Sequence, residues 1–159
     1  MNFCIDIQHA CVEPSPVSDE ALKLWAKTAL SPFRPTAELT LRLVDPLEII
    51  KLNQEYRQIN KVTNVLAFPA TYPPHVVLKY PLLGDVILCP QVIQEESIAL
   101  STPLNAHWAH LVIHGVLHLL GYDHIQDADT KVMQAIEIER LAALQFPNPY
   151  EDPLWTKSM

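Results

Sequence analysis

Apolar and polar positions along this chain follow two rhythms, one of period two and one close to a helical turn. Asn2 to His9 alternates loosely and suits a first strand. Ser18 then precedes a segment from Asp19 to Leu30 with acidic residues in its first turn and an apolar stripe of helical period. That is an N-capped helix, ended by Pro32. Glu38 to Val44 alternates cleanly, as a half-buried strand does. Asp45 and Pro46 give a second cap, with proline at the first helical position, and open a helix running to about Tyr56. Val62 to Phe68 and Leu82 to Cys89 read as two further strands. Between them, Pro69 to Pro81 carries four prolines and no helical period, so it is a loop. Pro90 to Leu100 is a short helix.

Thr102 and Pro103 cap the longest apolar segment, which continues to Leu120. It is apolar nearly all round, the mark of a helix buried at the centre of a domain. Asp127 to Leu144 is amphipathic and makes the last helix, and 146–159 is an irregular, proline-containing tail. These elements predict an α+β fold: a mixed four-stranded sheet packed against about five helices. The 159 residues form one domain, long enough to bury a substantial core.

Composition changes this picture little. No apolar run approaches the ~20 residues of a membrane span, and the N-terminal residues lack the basic leader and apolar stretch of a secretory signal. Cys4, Cys11 and Cys89 are odd in number and sit in apolar or strand-like contexts, which reads as reduced packing residues in a cytoplasmic protein. The net charge of −7 disfavours nucleic acid. Its distribution weakens that exclusion: Lys23 to Lys79 holds 8 basic against 4 acidic residues, and the rest holds 3 against 14. A basic central segment can present a local phosphate-binding surface.

The chemistry concentrates in His114-Gly-Val-Leu-His118-Leu-Leu-Gly121-Tyr-Asp-His124. Residues four apart on a helix share a face, so His114 and His118 can point at one ion. Gly121 can end the helix in a left-handed conformation and return the chain, bringing His124 to the same ion. Three histidines with no fourth protein ligand leave a position for water, as in catalytic zinc sites. A rival set of His110, His114 and His118 would span ~12 Å of helix rise and cannot converge on one ion. His107 and His110 therefore serve packing or support, and His9 and His75 carry no signal. The spacing equals that of the metzincin peptidase motif, but the glutamate that acts there as general base is replaced by Gly115. This argues for a zinc hydrolase and against an ordinary peptidase.

Two further segments, Leu52 to Pro69 and Leu83-Gly84-Asp85-Val86, together with the histidine motif, resemble the YbeY family in order and spacing over essentially the whole chain. The resemblance implies a metal-dependent endoribonuclease with one Zn2+ at His114, His118 and His124. It implies single-stranded RNA as substrate, a role in maturing the 3′ end of 16S rRNA from its precursor, and ribosome quality control. The partners it implies are the small ribosomal subunit or its assembly proteins, with no membrane or DNA involved. Asn60, Val62 and Ala67 depart from the family's usual Asp, Pro and Ser, which puts in doubt only a carboxylate or hydroxyl role at those positions.

Arg57, which matches the family's functional arginine, is the candidate catalytic side chain. It ends a helix just before a strand, and a guanidinium can meet the oxygens of a phosphodiester bidentately. A solvated arginine is the alternative. Lys61 either attracts phosphate or is a free loop lysine. Asp85 either orients a ligand histidine or caps a turn, and Asp123 has the same two readings. No residue stands out as general base. Either a metal-activated water attacks or the RNA's own 2′-hydroxyl does. The competing classes are a metallopeptidase or amidohydrolase with a base from elsewhere, and a non-catalytic assembly factor with structural zinc.

Overall fold

In chain order the elements are β1 (Asn2–Ala10), α1 (Asp19–Leu30), β2 (Thr36–Val44), α2 (Pro46–Arg57), β3 (Val65–Pro69), β4 (Leu82–Leu88), α3 (Pro90–Ala99), α4 (Leu104–Leu119) and α5 (Asp127–Ala143). The computed structural model describes residues 2–71, 75 and 81–151. The expected loop at Pro69 to Pro81 and the end of the expected tail lie largely outside them. Residues 146–151 form no helix or strand, as expected.

The strands lie in the order β1-β2-β4-β3. β1, β2 and β4 run parallel, and β3 pairs antiparallel with β4 as an edge strand. The expected mixed four-stranded sheet and five helices are therefore observed. Alternation along the strands divides the core in two. Leu39, Leu41, Leu43, Val86 and Leu88 face α1 and α4, where Leu22, Trp25, Leu30, Trp108, Val112 and Val116 are buried. Val44, Leu66, Ile87 and Cys89 face the other way and pack on Ile49 of α2. The sheet thus lies between α2 and the α1–α4 layer, and α4 is central as its composition requires. Eleven of its sixteen residues are buried. From His110 onward the stripe that stays partly exposed before Leu120 is His110, His114 and His118.

Capping follows the sequence in part. The Ser18 hydroxyl accepts the Ala21 N–H at 3.1 Å, as an N-cap should. Asp45 occupies the N-cap position of α2 but makes no cap bond; its carboxylate accepts the Val12 N–H at 3.1 Å and ties the β1–α1 connection down. Thr102 does not cap α4. It joins the end of α3, donating its N–H to the Ser97 carbonyl at 3.0 Å and accepting the Ser97 hydroxyl at 2.7 Å.

β3 begins three residues later than the pattern suggests because 58–64 are held in a turn. Gln58 is left-handed (φ 56°), the Ile59 N–H bonds the Asn53 carbonyl, and the Asn53 amide donates to the Lys61 carbonyl at 3.0 Å. Cys89 is buried and Cys11 half-buried, with burial and then Asp45 pushing the Cys11 thiol up to about 12. Cys4 is exposed, contrary to its expected packing role, because its side of β1 carries no covering helix.

Gly115 sets the distance between α4 and the sheet. A Cβ there would lie 2.5 Å from Val86 Cγ1 and 3.3 Å from Val65 Cγ2. Both neighbours are β-branched and stiff at χ1, so the helix itself must move to admit a methyl. Gly115→Ala should lower stability by ~1–3 kcal/mol, the usual cost of overpacking. A urea titration with a wild-type midpoint would refute this.

Candidate metal centre

The end of α4 builds the site. The Gly121 N–H bonds the His118 carbonyl and the Tyr122 N–H bonds the Leu117 carbonyl, both at 3.0 Å, with Gly121 at φ 103°. This paired closure is the Schellman stop, and its left-handed residue is where glycine is favoured. Tyr122 packs on Phe33 with ring centroids 5.6 Å apart. Beyond it the Asp123 carboxylate accepts the His124 N–H at 2.7 Å, and the Thr130 hydroxyl donates to the His124 carbonyl at 3.1 Å. Asp123 is thus the turn residue of its two readings, and His124 is held back toward the helix.

The result is a group of His114, His118 and His124 in which one nitrogen from each lies within 4.8 Å of the others. The Nε2 atoms of His114 and His118 are 3.1 Å apart. Two nitrogens on one tetrahedral zinc at ~2.0–2.1 Å are ~3.3 Å apart, so this spacing suits a shared ion. Burial and then the neighbouring His114 and His124 push the His118 pKa down to about 4, against a smaller opposing pull from Asp123 and a Tyr122 backbone hydrogen bond. The ring is neutral at pH 7, the form that ligates metal. The donor set, its spacing and its protonation all fit a metal ion.

One residue that sequence reasoning misses completes the centre. Glu137 of α5 is fully buried, and its carboxylate accepts from His114 Nδ1 at 2.6 Å and His110 Nε2 at 3.1 Å. The Tyr150 hydroxyl, from the segment after α5, donates to the same carboxylate. Burial alone would raise the Glu137 pKa, but hydrogen bonds from His110 and His114 outweigh it and hold it at about 2. A carboxylate on Nδ1 fixes the His114 tautomer and leaves Nε2 free for a metal. Asp85, one candidate for orienting a ligand histidine, is exposed on β4 opposite Phe68, and Glu137 is the carboxylate on His114 instead. The available signal is the buried stripe Met133–Glu137–Leu141, where a charge in an apolar row demands partners.

His110 belongs to the Glu137 network rather than to the triad, as the helix-rise argument requires. His107 is buried, with Nε2 2.9 Å from Glu96, which also accepts the Asn64 amide at 3.0 Å. His107 thus shares the Glu96 carboxylate with Asn64, a residue of the cleft wall.

The triad opens into a cleft of about 750 Å³, whose lining includes Tyr56, Arg57, Asn64 and Phe68. Arg57 is exposed at the end of α2 and enters none of the ion pairs among the described residues. Lys61 is exposed and does not line the cleft. Ala67 lines it without a hydroxyl, whereas Asn60 and Val62 face solvent.

Comparison with known proteins gives one answer. A family model described as endoribonuclease YbeY matches residues 9–145. Curated endoribonuclease YbeY proteins of Legionella pneumophila strains Corby and Lens are each 49% identical over 151 residues, covering 95% of this chain and 96% of theirs. The solution structure of TM1509 from Thermotoga maritima superposes with a TM-score of 0.60 at 25% identity, covering 94% of this chain and 97% of that one.

Proposed function

The chain belongs to the endoribonuclease YbeY family, and from that membership we propose a zinc-dependent cut in single-stranded RNA. Cleavage of RNA follows from the family; the metal, the substrate form and the residue roles are our reading. One observation carries it: three histidine nitrogens within 4.8 Å of one another share a cleft with an arginine outside every described ion pair. Zinc held there would supply Lewis acidity and bring the pKa of water from about 15.7 toward ~7.

The protein's own groups do the rest. Glu137 keeps His114 in the tautomer with Nε2 bare. The Gly121 stop and Asp123 bring His124 to the other two rings. Arg57 binds the non-bridging oxygens of the scissile phosphate as charge grows on them, through two parallel N–H donors. A peptidase is disfavoured by position 115, which faces Val86 and has no room for a glutamate. In the cell we assign the activity to the cytoplasm and to 3′-end maturation of 16S rRNA, with the small subunit or its assembly proteins as partners. We assign this activity to one domain, 1–159. No helix of the described residues is long and apolar enough to cross a membrane.

Zinc-loaded protein incubated with single-stranded RNA, a matched duplex and a peptide pool tests the reading. The single strand should be cut, the duplex resist and the peptides stay whole. Equal cutting of duplex and single strand contradicts the substrate form.

A further inference from the structure

The cleft holds a feature that the metal and the phosphate do not use. Tyr56 and Phe68 both line it, with ring centroids 5.0 Å apart and planes tilted by 54°. Phe68 is anchored, packing from β3 against the α2-side core. Tyr56 is 63% exposed although it leans on that ring. An aromatic side chain held at its inner side and open on its outer side, beside Arg57 in sequence, thus lines the same cleft as the triad.

We propose that Tyr56, braced by Phe68, is a stacking subsite for one unpaired nucleobase of the RNA next to the scissile phosphate. This rests on the reading of the cleft as the place of RNA cleavage. The physical case has three parts. Every nucleobase has a π-face, so stacking on an aromatic ring holds a strand without demanding a sequence. Phe68 restricts the Tyr56 ring before RNA arrives, which lowers the ordering cost on binding. A base in a duplex already stacks on its neighbours and pairs across the helix, so only an unpaired base is free to lie on Tyr56. The subsite therefore gives the cleft a means of choosing single strands that neither the triad nor Arg57 supplies. Phe68, the ring that braces it, lies in β3, an edge strand of the sheet.

The test uses the zinc-loaded protein with two single-stranded oligoribonucleotides of one length, one of ordinary sequence and one with abasic riboses throughout. Tyr56→Ala should raise the KM for ordinary RNA by ~10-fold or more, the scale of one lost base–aromatic stack. Its saturating rate and zinc content should stay near wild type. Tyr56→Phe and Tyr56→Trp should keep wild-type KM within about threefold, whereas Tyr56→Leu, apolar but without a π-face, should behave like Tyr56→Ala. Fluorescence anisotropy should show that Tyr56→Ala binds the abasic strand as wild type does. A wild-type KM for Tyr56→Ala, or an equal loss on the abasic strand, overturns the subsite. If the zinc-loaded wild type cuts neither strand, the reading of the cleft as the place of RNA cleavage fails; if it cuts ordinary RNA and Tyr56→Ala keeps the wild-type KM, the subsite alone fails.

Discussion

Protein with His118→Ala is expected to cut single-stranded RNA slower by on the order of 10³-fold or more, the several kcal/mol that a bound metal contributes to phosphoryl chemistry. The reasoning is geometric. Two imidazoles, His114 and His124, would remain, and no other residue of the described cleft is placed to replace the third. Alanine is the best helix former, and position 118 is partly exposed near the end of α4, so folding should survive. Circular dichroism and a cooperative melt near the wild-type temperature would establish that. Glu137→Gln gives a graded comparison. It leaves all three nitrogens in place but weakens the bond that sets the His114 tautomer, so zinc affinity should fall ~10–100-fold. Excess zinc should restore its activity and should leave His118→Ala inactive. Full activity of His118→Ala in chelator-treated buffer would leave the metal without a role in cleavage.

Arg57→Ala is expected to leave zinc content and stability unchanged while slowing single-turnover cleavage at saturating RNA by ~10²-fold or more. That is the scale of losing one preorganised donor to developing charge. The side chain is exposed, so deleting it opens no cavity. Arg57→Lys should recover part of the rate, because an ammonium restores the charge without the planar fork. If Arg57 merely drew RNA in from a distance, the loss would be small and would fade as salt rises. A wild-type saturating rate for Arg57→Ala would demote it to a surface charge.

Much of this arrangement is legible in the residues because it rests on local rules. Ser18 caps α1 as its type and position demand, and the all-round apolar pattern of α4 does place it at the centre. The spacing of His114, His118, Gly121 and His124 is a consequence of helix geometry and one left-handed residue, so the convergence can be read directly. What escapes depends on contacts between segments far apart in the chain. Glu137 lies 23 residues from His114 and resembles one more charge on an amphipathic helix. Tyr150 sits in a stretch whose sequence suggests only an irregular tail, yet its hydroxyl reaches that buried carboxylate. Asp45 has the residue type of a cap, and Val12 claims its carboxylate. Cys4 has the pattern of a packing residue because alternation reveals which positions share a face, not whether a helix covers it. Gly115 stands in the sequence as a missing base; in the fold, Val86 leaves no space for one.

Whether the three histidines hold one ion is decided by zinc bound per chain, measured by equilibrium dialysis followed by elemental analysis. Wild type should hold one zinc ion per chain, and so should His110→Ala, whose ring belongs to the Glu137 network. His114→Ala, His118→Ala and His124→Ala should each lose most of it at the same free zinc. Wild-type stoichiometry in all three single variants, or loss in His110→Ala alone, would contradict the assignment of the ion to His114, His118 and His124.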